Sequence, residues 1–107
     1  MNVPAIGVSD LPENAVLLDV REDDEWTAGH APDARHVPMS QLTGRLGDVP
    51  SADPLYVICR SGGRSAQVVA YLNQQGRSSV NVVGGMQSWA AGGRPMVAEH
   101  GGAPGVV

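Results

Sequence analysis

An apolar run that ends in a thiol constrains this chain more than any other stretch. Leu55-Tyr56-Val57-Ile58 passes without a break into Cys59-Arg60-Ser61-Gly62-Gly63-Arg64-Ser65, and that loop passes straight into Ala66-Gln67-Val68-Val69-Ala70-Tyr71-Leu72. Four apolar residues in a row suit a buried strand. Beyond the loop, Ser65, Val68, Val69 and Leu72 fall on one stripe at helical spacing. The stretch therefore reads as strand, tight loop and helix N-terminus, with a thiol on the first loop residue.

The flanking chain repeats that alternation. Pro4 to Val8 reads as a short strand, broken by Ser9-Asp10-Leu11-Pro12. Ala15 to Val20 is almost continuously apolar, as a strand buried on both faces must be. Glu22 to Thr27 reads as a short helix with acidic residues at its positive end, Trp26 as apolar anchor and Gly29 as stop. Arg35 to Pro38 is a brief strand. Ser40 is placed to cap a short helix with Leu42 and Leu46 on one face. After the loop helix come Asn73-Gln74-Gln75, read as facing water, and the stop Gly76. Ser79 to Val83 is a strand closed by Gly84-Gly85, and Met86 to Ala91 is a last helix burying Met86, Trp89 and Ala90. This order predicts an α/β domain with a mainly parallel, five-stranded central sheet and helices on both faces. From Gly92 the composition turns to Gly, Pro and small residues, so the domain is expected over 4–96 and a flexible C-terminal tail over 97–107.

At 107 residues the chain is one domain, long enough to bury a core without staples. The charged share of 17% is too low for a disordered polyelectrolyte, and the net charge of −4 argues against nucleic acid as a partner. A single cysteine excludes an internal disulfide and a cysteine-rich zinc site, and a free thiol suits a reducing compartment. No signal peptide and no membrane-spanning run is visible, so the expectation is a soluble cytoplasmic protein without membrane partners. No metal site and no cofactor motif is seen.

In open parallel sheets, ligands sit at the C-terminal ends of the strands. The Cys59 loop follows one such end, and Asp19-Val20-Arg21 follows another. A thiol attacks as its thiolate. Here a helix N-terminus near Ser65 aims unpaired amides at the loop interior, and Arg64, with Arg60 beside it, adds positive charge. Gly62 and Gly63 let consecutive amides turn inward as an anion-binding nest, and Ser61 and Ser65 add hydroxyl donors. Taken singly, each feature has a plainer reading: a lone buried Cys is a small core hydrophobe, Gly-Gly a turn, the arginines a solvated face. Together they specify an anion-handling cysteine loop.

The combined motifs resemble the rhodanese family of sulfurtransferases in its small single-domain form. The resemblance runs from about Ile6 to Pro95. It rests on Leu18-Asp19-Val20-Arg21, on Glu25-Trp26-Thr27-Ala28-Gly29-His30-Ala31-Pro32-Asp33-Ala34, on His36-Val37-Pro38, on the Cys59–Ser65 loop and on Gly84-Gly85-Met86-Gln87-Ser88-Trp89. It implies a thiosulfate sulfurtransferase. Cys59 would take a sulfane sulfur from a small sulfur-containing anion such as thiosulfate and pass it, through a persulfide, to cyanide, a thiol or a protein acceptor. Arg60, Ser61, Gly62, Gly63, Arg64 and Ser65 would bind the anion. Asp19 and Arg21 would support the loop, and His30 would be a hydrogen-bonded turn residue. Related cysteine phosphatases and arsenate reductases carry one residue more between Cys and Arg. The four residues between Cys59 and Arg64 make a tighter cradle, suited to sulfur rather than phosphate. The remaining alternative is a sulfur-carrier or regulatory module with little turnover of its own.

Overall fold

The structure is a computed structural model, and residues 2–107 are described. The apolar runs form β1 (Ala5–Gly7), β2 (Leu17–Asp19), β3 (Arg35–His36), β4 (Leu55–Ile58) and β5 (Ser79–Val83). They make one five-stranded sheet in the order β1-β5-β4-β2-β3, with every neighbouring pair parallel. Three α-helices connect or follow them: α1 (Asp23–Ala28), α2 (Gly63–Gln74) and α3 (Gly85–Ala91). The cysteine strand β4 is central, with Val57 in register with Leu18 of β2 and Asn81 of β5.

Side chains alternate across a strand, and here the alternation splits the core into two layers. Leu55, Val57 and Cys59 share one face with Leu18, Val20 and the α2 residues Val68, Val69 and Leu72. Ile58 and Tyr56 share the other with Leu17, Val82, Met86 and Trp89. The α2 stripe read from the sequence is the buried one: Ser65, Val68, Val69 and Leu72. Removing Leu72, which has no exposed surface, costs about 2–5 kcal/mol by the usual cavity penalty.

The helix ends follow local chemistry. Glu22 and Glu25 form a reciprocal capping box at the start of α1. At the end of α2 the Gly76 N–H donates to Asn73 O at 3.1 Å and the Arg77 N–H to Leu72 O at 2.9 Å, a Schellman motif that needs the positive φ of Gly76. Asn73 does not simply face water. Its Oδ1 accepts the Ser79 N–H at 2.8 Å and pins the helix end to the start of β5.

Three further expectations are corrected. The segment after Pro38 is a pair of 3-10 turns, Met39–Gly44 and Leu46–Asp48, not one helix over Leu42 and Leu46. Thr43-Gly44 is a poor helix-forming pair, and the chain re-aims at Arg45. Ser40 does not cap it; Pro38 does, and the Ser40 hydroxyl donates to Glu22 Oε1 at 2.8 Å. In α3, Met86 and Trp89 fill the buried side and Ala90 is exposed.

The segment expected as a flexible C-terminal tail, 97–107, folds back on the domain. Val97 and His30 exchange both backbone bonds at 2.9 Å, the Glu99 N–H donates to Thr27 O at 3.0 Å, and the Gly105 N–H donates to Ala28 O at 2.9 Å. Val106 packs against the lower core layer. Gly29 makes room for this: a Cβ there would lie 2.6 Å from Gly105 O. With φ of 168°, Gly29 is in extended backbone that any residue adopts, so its need is space, not conformation.

Candidate active site

β4 ends at Ile58, and Cys59 is the next residue, 1% exposed, at the floor of a short loop. The loop turns on Gly62, whose φ of +114° only glycine adopts easily. α2 begins at once with Gly63, earlier than the sequence suggested. Gly63 itself has no positive φ and open space where a Cβ would be. The amide nest therefore depends on Gly62 alone, not on both glycines.

The thiol is surrounded by donors. The Gly62 N–H donates to Cys59 Sγ at 3.1 Å, and the Ser65 hydroxyl lies 3.2 Å from it. Burial pushes the thiol pKa up. The Ser65 hydroxyl and the amides of Ser65, Gly62 and Ser61 pull it down, and the net result lies below the ordinary thiol value.

α3 holds the loop from behind. The Met86 N–H donates to Cys59 O at 2.8 Å, and the Gln87 N–H to Arg60 O at 3.0 Å. This close approach explains Gly85, where a Cβ would lie 2.3 Å from Cys59 O. β5 holds the loop from the side through Asn81, which accepts the Ser65 hydroxyl at 2.6 Å and donates from Nδ2 to Gly62 O at 3.3 Å.

The two loop arginines differ. Arg60 is exposed. Arg64 is bound to Glu25 of α1 by two parallel hydrogen bonds of 2.7 and 2.8 Å. Those bonds hold the Glu25 carboxyl below the usual carboxylate range, against burial, with help from the Glu22 amide. Arg64 is thus a compensated charge at the rim rather than a free one.

Asp19 and Arg21 are both fully buried. Arg21 donates from Nε to Asp19 Oδ1 at 3.0 Å and from Nη2 to Asp19 Oδ2 at 2.7 Å. Its remaining donors reach Glu25 O at 3.2 Å and Gly29 O at 2.8 Å. The pair staples α1 to β2, and α1 in turn presents Glu25 to Arg64. Their side chains connect to Arg64 through that chain, and Asp19 also stands in register with Ile58, the residue before Cys59.

His30 is buried, with Nδ1 2.8 Å from Ala31 O and Nε2 2.9 Å from Glu99 Oε2. Trp26 lies between His30 and His36, with ring centroids 3.5 and 4.6 Å apart and near-parallel planes. Sequence reasoning missed Glu25 and Asn81 as site residues. The glutamate three residues into a helix start was a visible capping signal; its second role as partner of Arg64 was not. Among the described residues no cluster of potential metal ligands forms, and no helix is long and apolar enough to cross a membrane.

The arrangement is a buried thiol, its pKa below the ordinary value, with loop amides turned towards the sulfur. A sulfurtransferase of Allochromatium vinosum is 41% identical over 90 residues, covering 83% of this chain and 84% of its own. The thiosulfate sulfurtransferase GlpE of Actinobacillus succinogenes is 37% identical over 91 residues, covering 83% and 81%. The crystal structure of a rhodanese-related protein from Thermoplasma volcanium superposes with a TM-score of 0.81 at 37% identity, covering 88% of this chain and 97% of that one. The rhodanese-like domain matches residues 8–92, most of the chain and all of the elements just described from the end of β1 to α3. This chain belongs to the rhodanese-like family.

Proposed function

We propose that the protein is a sulfurtransferase that carries a sulfane sulfur on Cys59. One observation carries this reading: the only thiol of the chain sits buried at the foot of a helix, with the Gly62 amide donating to its sulfur at 3.1 Å. The Cys59 thiolate attacks the outer sulfur of thiosulfate. A new S–S bond forms, the old one breaks, and sulfite leaves with the electron pair. The terminal sulfur of the persulfide then holds the negative charge inside the amide ring, where Arg60, Ser61, Gly62, Gly63, Arg64 and Ser65 face it. Cyanide or an acceptor thiolate attacks that terminal sulfur, the S–S bond breaks again, and the Cys59 thiolate is restored. The covalent intermediate divides one transfer into two displacements. No electron is gained or lost overall, so no redox cofactor is called for.

The test is the mass of the intact protein. After thiosulfate it gains one sulfur, about 32 Da for a persulfide. Cyanide removes the gain, and Cys59→Ala never shows it. A wild-type protein that gains no mass overturns the proposal. A protein that loads, yields sulfur slowly to cyanide and quickly to a protein thiol is a sulfur carrier, the reading favoured by the compensation of Arg64 through Glu25.

A further inference from the structure

Behind Cys59 runs a short chain of buried polar groups: Cys59 Sγ, Ser65 Oγ at 3.2 Å, and Asn81 Oδ1 at 2.6 Å from that hydroxyl. Cys59, Ser65 and Asn81 are 1%, 0% and 7% exposed, so water does not replace a missing partner cheaply. A serine hydroxyl has one proton and two lone pairs, and a carboxamide oxygen only accepts. At 2.6 Å the Ser65 proton must therefore point at Asn81. The carboxamide cannot be turned round, because its Nδ2 faces Gly62 O at 3.3 Å and the opposite orientation would set oxygen against oxygen. The remaining place on Ser65 is a lone pair, which suits the S–H of a neutral thiol. The chain S–H to O–H to O=C is complete only while Cys59 is protonated.

Loss of that proton to solvent breaks the order. A thiolate only accepts, so Ser65 must swing its proton from Asn81 to sulfur. Asn81 Oδ1 is then left buried, facing the lone pairs of Ser65 with no donor between. We propose that Asn81 is a positioning residue that governs Cys59 through Ser65: it holds the serine proton away from the sulfur and so biases the resting enzyme towards the thiol. The Ser65 hydroxyl, when its proton turns to the sulfur, favours the thiolate, as do the amides of Ser65, Gly62 and Ser61; Asn81 competes for the hydroxyl proton and so opposes the first of these. In the persulfide the charge moves to the outer sulfur, away from Ser65, and the serine proton returns to Asn81. Asn81 therefore disfavours the free thiolate without disfavouring the loaded form. This last step rests on the persulfide reading above; the effect on the thiol does not.

Other charges that face the sulfur are few. α2 offers Arg64, already paired with Glu25 of α1 and lying near Glu22; the loop offers exposed Arg60; β2 offers Asp19, locked to Arg21 two residues beyond the strand. β5 and α3 contribute no charged side chain. Asn81 is the polar group through which the back wall acts.

The experiment is a pH titration of the full-length protein, following thiolate absorbance and the rate of alkylation by iodoacetamide. One cysteine makes the signal unambiguous. Asn81→Leu, which removes the acceptor at similar size, lowers the midpoint by about one pH unit, the scale of one charge-assisted hydrogen bond. Below the midpoint its alkylation quickens by about threefold rather than tenfold, because a less basic thiolate is a weaker nucleophile. Asn81→Ala gives the same shift with no risk of overpacking. In a Ser65→Ala background, adding Asn81→Leu changes nothing further. An unchanged or raised midpoint in both Asn81 variants overturns the proposal. So does a fall that persists undiminished in the Ser65→Ala background, since the effect would then not pass through the serine. The titration needs no sulfur donor, so its failure is separate from a failure to form the persulfide.

Discussion

Two arginine–carboxylate pairs lie side by side in this molecule, and they differ in almost everything but chemistry. Asp19–Arg21 has no exposed surface on either side chain, and Arg21 donates further to the carbonyls of Glu25 in α1 and of Gly29 at its C-terminal end. Glu25–Arg64 stands at the rim, with Glu25 13% and Arg64 31% exposed, and it joins two elements that flank the thiol. The first pair is fixed by its surroundings and can only hold structure. The second is screened by water and can be exchanged for a pair with a visiting anion. Burial, not residue type, separates a fixed staple from a pair open to solvent.

Substitution tests that difference, and the largest effect belongs to the buried pair. Arg21→Met leaves Asp19 charged and alone in the core and frees the carbonyls of Glu25 and Gly29, so unfolding free energy falls by about 3–5 kcal/mol in denaturant titrations. A loss near that of an ordinary surface change would erase the contrast. Arg64→Ala comes next, with the opposite signature. Stability changes by about 1 kcal/mol or less, while kcat/KM for thiosulfate drops by about tenfold, the scale of one anion contact. A variant that unfolds while its residual activity per folded molecule is intact makes Arg64 a second staple.

The smallest effect is in the acid limb of stability. Arg64 holds the Glu25 carboxyl below the usual range. A depressed carboxylate contributes stability above the ordinary value of about 4.3, and loses it as pH falls through the lower, folded value. The contribution is about 1 kcal/mol for a pair this open to water. Thermal unfolding of Glu25→Gln should therefore be less stable than wild type at neutral pH and converge with it below about pH 4. Parallel curves over that range would mean that Glu25 is not ionised against Arg64.

The sequence carried the scaffold further than it carried the site. β4 and β5 occupy the residues read for them, and the buried stripe of α2 is the one its spacing predicted, because strand and helix periods are written in neighbouring residues. Cys59 and the glycine turn were legible for the same reason. Glu25 and Asn81 were not. Glu25 meets Arg64 from 39 residues away, and Asn81 meets Ser65 from 16 away, across a sheet whose strand order no local pattern encodes. The docked segment after Pro95 was missed because small and polar residues give no periodic signal. Its attachment is largely by backbone bonds to Thr27, Ala28 and His30, which any sequence can make, with the Glu99–His30 contact, the packing of Val106 and the space left at Gly29. The short turns after Pro38 were misread because four-residue spacing of leucines is necessary for a helix and not sufficient.

The central position of β4 has a consequence for when the protein becomes reactive. Its neighbours come from opposite ends of the chain, β2 from residues 17–19 and β5 from residues 79–83, and parallel pairing across such separations is slow to form. The amides that clamp the carbonyls of Cys59 and Arg60 belong to Met86 and Gln87, made well after them. On the ribosome, Cys59 is exposed well before the cradle that would tame it exists. For that interval it is an ordinary cysteine, and only the folded sheet sets amides against its sulfur. The rate at which that thiol gains its reactivity is accordingly a clock for the closing of the whole sheet.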